Sequence, residues 1–383
     1  MGVEKMIKEI YMDNAATTKV LPEVFDAMAP YFTEEYGNAS SIHFKGYSAK
    51  IAVEEAREKV SNLLNAEPEQ IIFTSGATES NNWVLQNTKT DNICISEIEH
   101  DSVEKTYNQI CGKEIDRAGF ETPEGIVNIF DVKKLLKRTK GTTLLSIMMA
   151  NNEIGTIQPI EELSKIVHQY DGIMHTDATQ ALGHIPVDVK MLDIDYLSAS
   201  AHKFGGPNGI GCLYCKDTLL SPYMHGGHQE RGLRAGTYNV PGIVGFGKAC
   251  EIAKKNFISN YSKEMYLRNY FLNRLVTRFP QIKVNGSIMY RLPNIINVSF
   301  KSINGESLVL MLSDKGICCS TGSACNAGTK ESSKVLQAIG VDKEYIDGTI
   351  RFSINYENTV EEIDYVIEAL AECLYILGGE YGE

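Results

Sequence analysis

No stretch of this chain is apolar enough, for long enough, to cross a bilayer. The longest run free of Asp, Glu, Lys and Arg, Gly316 to Thr329, is 14 residues made largely of Gly, Ser, Thr and Cys, against the roughly 20 apolar residues a spanning helix needs. Tryptophan occurs once and proline 11 times in 383 residues, which excludes a collagen-like or disordered chain. No self-similarity recurs at a period of 20 to 50 residues, so a solenoid is excluded too. Positive charge is scarce, 37 basic residues against 49 acidic for a net −12. That field repels a phosphate backbone, and direct nucleic-acid binding is not expected. The N-terminal Met-Gly-Val-Glu-Lys-Met-Ile-Lys-Glu-Ile lacks the apolar core of a signal peptide, so the expected location is cytoplasmic. Nine cysteines, an odd number with no secretory signal, point to free thiols rather than a disulfide framework.

What is present is an alternation of short Val/Ile/Leu-rich runs with amphipathic stretches, the pattern of an α/β protein with a mainly parallel sheet between helices. Ala49, Val53, Ala56, Val60 and Leu63/Leu64 share one helical face. A buried strand, Ile71 to Thr74, then runs into Ser75-Gly76-Ala77-Thr78. Helix Ile160 to Tyr170 and strands Ile173 to Thr176, Tyr196 to Ser200 and Ile210 to Tyr214 continue the alternation. The texture changes after about residue 257. A helix over Ser262 to Phe279, strand Ile295 to Phe300, helix Glu306 to Lys315, strands Ile317 to Ser320 and Thr349 to Ile354, and a last helix, Val360 to Leu377, predict a smaller α+β domain. The expected division is a large domain over 13–257 and a small one over 1–12 and 258–383.

Polar residues cluster where these strands end, the place at which open α/β sheets bind ligands. Ser75-Gly76-Ala77-Thr78-Glu79-Ser80 lies between a strand and a helix and can bring backbone N–H groups to an anion. Asp177 follows one strand and Lys203 follows another, through Ala201 and His202. A carboxylate, an amine and a phosphate cup on three strand ends are what pyridoxal 5′-phosphate (PLP) requires: a partner for the ring nitrogen, a Schiff-base lysine and an anchor. Cys212-x2-Cys215 with His225-x2-His228 superficially suggests zinc, but strand residues three apart point to opposite faces and the His spacing is short, so no metal site is expected.

Eight short blocks occur in one order along the chain: Asp13-Asn14-Ala15-Ala16-Thr17-Thr18, Thr74-Ser75-Gly76-Ala77-Thr78-Glu79, Glu99-His100, Asn151-Asn152-Glu153-Ile154-Gly155, Asp177-Ala178-Thr179-Gln180, Ser200-Ala201-His202-Lys203, Arg234-Ala235-Gly236-Thr237 and Gly322-Ser323-Ala324-Cys325. This order resembles that of NifS/IscS-like cysteine desulfurases. The resemblance implies a PLP fold-type-I homodimer of the class V aminotransferase family that converts L-cysteine to L-alanine and holds the sulfur as a persulfide. By matched motif, Lys203 is similar to the Schiff-base lysine, Asp177 to the partner of the pyridinium nitrogen and Gln180 to the residue that bonds the ring oxygen. His100 resembles the imidazole that stacks on the ring and shuttles protons. Gly76, Ala77, Thr78, Ser200 and His202 match the phosphate cup and its ligands, and Thr237 a ligand donated by the neighbouring subunit. Asn152 and Arg351 match the substrate carboxylate site, and Cys325 the nucleophile.

The residue types suit this chemistry. A displaced lysine amine is a base for the Cα proton, and only a soft, polarizable nucleophile such as the Cys325 thiolate accepts sulfur from sulfur. The resemblance also implies a protein sulfur acceptor, an iron–sulfur scaffold or a tRNA-thiolation enzyme, with Glu383 only six residues beyond Leu377. A selenocysteine lyase or another fold-type-I PLP enzyme is the alternative. A non-catalytic relay protein is disfavoured by Lys203, Asp177 and His100. Asn208, His228, Tyr238 and Asn355 depart from the commonest family pattern, Tyr238 standing where Glu is usual. Cys318 and Cys319 read as buried structural thiols. From Ser320 to Ser333 no Val, Ile, Leu, Met or aromatic residue occurs, so the Cys325 loop is expected to swing between substrate and acceptor.

Overall fold

A computed structural model describes residues 9–111, 117–118, 124–217, 220–321 and 332–378. Cys325 and most of the predicted swinging loop lie outside the described residues.

The fold is α/β. Its principal sheet has seven strands in the order Ile71–Thr74, Gly211–Cys215, Tyr196–Ser200, Ile173–Asp177, Thr143–Ser146, Asn92–Ser96 and Arg117–Ala118. Gly211–Cys215 pairs antiparallel with both of its neighbours, and every other pairing is parallel. Helices Phe44–Leu64, Ile160–His168 and the first half of Val240–Arg278 bury their apolar faces in one large cluster with this sheet. Central strands such as Tyr196–Ser200 are buried at every residue. They therefore read as continuous apolar or small-residue runs rather than alternating ones.

A second sheet, wholly antiparallel, runs Ser320–Thr321, Thr349–Ser353, Ile295–Ser299 and Lys283–Val284. Its cluster holds Phe271, Phe279, Phe300, Phe352 and the inner face of Val360–Ile376, together with Ile10 and Met12. The chain start reaches it because Ile10–Tyr11 pairs in parallel with Ile317–Cys318.

Two elements differ from the sequence reading. The strand expected over Ile317 to Ser320 is two short strands, because the chain leaves the Ile10–Tyr11 pairing after Cys318 and joins Thr349–Ser353 from Ser320. The helix expected from Ser262 begins at Val240 and continues for 39 residues. Asn239 caps it by accepting the Gly242 N–H at 3.1 Å, and from Lys248 to Arg278 no Gly or Pro interrupts it. Its first turns bury Ile243, Phe246 and Cys250 in the large cluster, its last turns bury Leu267, Phe271 and Leu275 in the small one, and Lys254 to Asn256 between them are exposed. A helix buried on one side at each end but bare in the middle loses its apolar period there. Gly247 is required by close approach: a Cβ would lie 2.7 Å from Ala56 Cα. Among the described residues no helix is long and apolar enough to cross a membrane.

Candidate active site

The carboxyl ends of the parallel strands open into a cavity of about 280 Å³ whose wall includes Ala77, Thr78, His100, Asn152, Asp177, Gln180, Ser200, His202, Lys203 and Arg351. Asp177 is the last residue of its strand and is 5% exposed. Its carboxylate is aimed by two donors, Asn81 Nδ2 at 2.7 Å and the Thr179 N–H at 2.9 Å. Ser200 also ends a strand, and Lys203 follows it in the 3₁₀ turn Ala201–Lys203. Strand direction thus brings an acid and an amine, read separately in the sequence, to one opening.

The lysine amine donates to the Ala15 carbonyl at 2.7 Å and the Ala16 carbonyl at 2.9 Å. Gln180 Nε2 donates to the same Ala15 carbonyl at 2.9 Å. Neither alanine was singled out as a site residue, since a backbone acceptor leaves no side-chain signature. Behind the lysine stands His184, bonded through Nε2 to the Lys203 carbonyl and through Nδ1 to Glu264, each at 3.1 Å. The sequence assigned His184 no role, and its partner lies 80 residues away. Burial pulls the His184 pKa down, but the charge of Glu264 and its hydrogen bond outweigh this and the pKa is raised.

Ser102 donates its backbone N–H to His100 Nδ1 at 3.1 Å, and its hydroxyl lies 2.8 Å from the same nitrogen. A backbone N–H can only donate, so Nδ1 is an acceptor and the neutral ring carries its proton on Nε2. His202, 3.2 Å from the Thr17 hydroxyl, is held neutral. Burial first, and then the charge of Lys203, bring its pKa down to about 4. Arg351 Nη1 donates to the Asn152 carbonyl at 2.9 Å and Nη2 to Asp13 at 2.7 Å.

The cup before helix Ala77–Asn87 is tighter than the sequence suggested. The Ser75 N–H is taken by Glu79 at 2.8 Å and the Ala77 N–H by the Ser200 hydroxyl at 2.8 Å, so two of its donors are already committed. Gly76, at φ 152°, is the residue that permits this turn, and a Cβ there would lie 3.3 Å from Ser200 Oγ. Thr237 does not line this cavity. It is exposed and borders a separate one of about 190 Å³ with Ser75 and Arg234. Asn208 accepts from the Thr17 hydroxyl at 3.3 Å and Asn355 donates to Asn14 at 3.2 Å, so two departures from the family pattern join the chain segment that holds the lysine. Among the described residues no group of three His, Cys, Asp or Glu side chains could hold a metal ion.

The aminotransferase class-V model matches residues 10–366. The chain belongs to the class-V aminotransferase family. It is 46% identical over 379 residues to the cysteine desulfurase IscS of Dictyoglomus turgidum, covering 95% of this chain and 94% of that protein. To the cysteine desulfurase IscS of Methanosarcina thermophila it is 45% identical over 379 residues, covering 95% and 92%. A solved NifS-like protein superposes with a TM-score of 0.89 at 38% identity, covering 97% of this chain and all of that one. The NifS-like protein of Rickettsia africae superposes equally well, at 0.89 and 31% identity over 96% of this chain.

Class-V aminotransferases work with PLP, and the cavity fits that group. Its wall offers a buried carboxylate for a protonated ring nitrogen, an amine, and a helix N-terminus flanked by a hydroxyl and a neutral imidazole. Thr179 Oγ1 and Arg351 Nε, on two residues of this wall, are buried polar atoms with no hydrogen-bond partner among the described residues. Buried polar groups left unmatched are costly, and a polar group bound in the cavity would give these two a partner.

Proposed function

We propose that this protein is a PLP-dependent cysteine desulfurase, converting L-cysteine to L-alanine and holding the sulfur as a persulfide on Cys325. The observation that carries the reading is the meeting of Lys203, Asp177, His100 and Arg351 in one cavity. Membership of the class-V family and the cysteine desulfurase names of its relatives support it.

Bound there, the cofactor supplies an electron sink for the charge left on the substrate Cα. Asp177 keeps the ring nitrogen protonated, and Thr78, Ser200 and His202, with Gly76 and Ala77 shaping the turn, hold the phosphate. Arg351 and Asn152 take the substrate carboxylate. The Lys203 amine is the base for the Cα proton, and Nε2 of His100 exchanges a proton with the reacting groups. The Cys325 thiolate attacks the substrate sulfur. The carbon–sulfur bond breaks as the sulfur–sulfur bond forms and its electron pair stays with the β-carbon; one proton added there, and return to Cα of the proton that Lys203 took, complete alanine.

The active unit is a homodimer in which residues 13–257 bind the cofactor and residues 1–12 and 258–383 bring Arg351 and Cys325. Phe25, Phe32, Tyr36, Ile42, Phe44 and Tyr47 are all exposed on one protomer, an apolar group that a second copy would cover. Thr237 of one subunit completes the phosphate site of the other. The persulfide passes to a protein acceptor, an iron–sulfur scaffold or a tRNA-thiolation enzyme, in the cytoplasm. Purified protein incubated with PLP and L-cysteine should release alanine in every case, and sulfide in quantity only with a reductant. Absence of alanine with PLP bound would refute the assignment.

A further inference from the structure

The turn Gln229–Gly232 passes through the left-handed region at three consecutive residues, Glu230 (φ 46°), Arg231 (φ 58°) and Gly232 (φ 81°). Two of these carry side chains that resist such a backbone, so it persists only where surrounding contacts impose it. Those contacts are unusually complete. Arg57 forks onto Glu230 at 2.7 and 2.8 Å, with both side chains 2% exposed. Its guanidinium lies over the Phe73 ring, 4.8 Å from the centroid. The same carboxylate accepts the Phe73 N–H at 3.0 Å. The Ile71 carbonyl accepts from Arg57 at 2.8 Å and from Arg231 at 3.1 Å. From beyond the turn, the Tyr238 hydroxyl accepts the N–H of Glu230 at 2.9 Å, and Arg234 forks onto Glu79 at 2.8 and 3.0 Å.

The segment from Glu230 to Tyr238 is therefore tied to the strand Ile71–Thr74 through Glu230 and Arg231 and to the helix Ala77–Asn87 through Arg234, and its far end is closed back onto Glu230 by the Tyr238 hydroxyl. Between the Arg234 and Tyr238 ties, the residues left exposed are Gly236 and Thr237. A buried ion pair is a poor source of net stability but a good device for fixing one geometry. A contact segment ordered beforehand loses less entropy when its ligand arrives.

We propose that the Arg57–Glu230 pair and the Tyr238 hydroxyl are positioning residues that preset Thr237 for the cofactor phosphate of the other subunit. The inference rests on the homodimer reading above. It gives a role to Tyr238, which stands where the family usually has Glu.

Glu230→Gln would leave the buried Arg57 guanidinium with only the half-exposed Glu54 carboxylate, 3.0 Å from its Nε, as counter-charge, a change that disturbs the fold itself, so the test uses Tyr238→Phe, which removes one hydroxyl. Heterodimers are prepared in which one subunit carries Lys203→Ala, so that only the other gives the visible band of lysine-bound PLP. PLP is then titrated into apoprotein. With Tyr238→Phe on the Lys203→Ala subunit, PLP affinity at the intact site is expected to fall about threefold to tenfold, the worth of one neutral hydrogen bond. With Tyr238→Phe on the subunit that keeps Lys203, affinity should be unchanged. A fall in the second arrangement alone would overturn the homodimer reading, because the segment would be serving its own subunit. No change in either arrangement, or an equal fall in both, would overturn the positioning role itself.

Discussion

Arg351 and Asp13, 338 residues apart in the chain, form a 2.7 Å ion pair in which the arginine side chain is 1% exposed. The pair joins the small antiparallel sheet to the segment whose carbonyls hold Lys203. With Nη1 on Asn152 and Nη2 on Asp13, the guanidinium plane is fixed before a substrate arrives. A lysine has neither the fork nor the reach in three directions. Arg351→Lys is therefore expected to raise KM for L-cysteine about tenfold to a hundredfold, the worth of a charge-assisted hydrogen bond to a carboxylate. The absorbance of the lysine-bound cofactor should be unaltered. An unchanged KM would remove Arg351 from the substrate site.

Lys203→Ala removes the amine that sits 2.7 Å from the Ala15 carbonyl. PLP should still bind through Asp177 and the phosphate cup, but without the visible band of the covalent form. Alanine production should fall to background. Normal turnover in this variant would show that another amine carries the cofactor.

Much of the fold and of this cavity was legible because buried strands and strand-end polar residues leave marks in a sequence. Ile71–Thr74 and Tyr196–Ser200 are buried at every position, and their runs stand out from the flanking polar residues. Asp177 and Lys203 directly follow such runs. The long helix was truncated in the reading because exposed Lys254 to Asn256 interrupt its apolar face. The lysine's acceptors were invisible because they are main-chain carbonyls. The Arg57–Glu230 pair was invisible because its partners are 173 residues apart and each looks like an ordinary surface charge.

Cys325→Ser should bind PLP and L-cysteine and release no alanine, since a hydroxyl does not accept sulfur in this way. The nearby thiols are poor substitutes. Burial raises the pKa of Cys319 far above the ordinary thiol range, and Cys318 is raised by burial and then by the charges of Glu9 and Asp13. Peptide mapping of the persulfide after a single turnover should place it on Cys325. Continued alanine release from the variant, with a persulfide on Cys318 or Cys319, would displace it as the acceptor.

Glu99 gives a prediction about pH. Its carboxyl is buried, shares a short hydrogen bond with the Ser96 hydroxyl and accepts the Met148 N–H at 3.0 Å. Burial is the largest influence on it and the charge of Asp177 adds to it. Together they outweigh the hydrogen bonds and carry the pKa from 4.5 up to about 8. In the unfolded chain the same group titrates at its ordinary value, so between these two pH values the folded state binds more protons than the unfolded one. Stability from this group must then fall as pH rises across that window, by about 2 kcal/mol from pH 5.5 to 7 at 1.36 kcal/mol per unit. Glu99→Gln keeps the shape and does not titrate. Urea unfolding of both apoproteins, at one protein concentration, should show the variant gaining about 2 kcal/mol on the wild type between pH 5.5 and 7. If the two curves keep a constant offset, Glu99 is already ionised in the fold, and a second negative charge stands near Asp177 beneath the cofactor cavity.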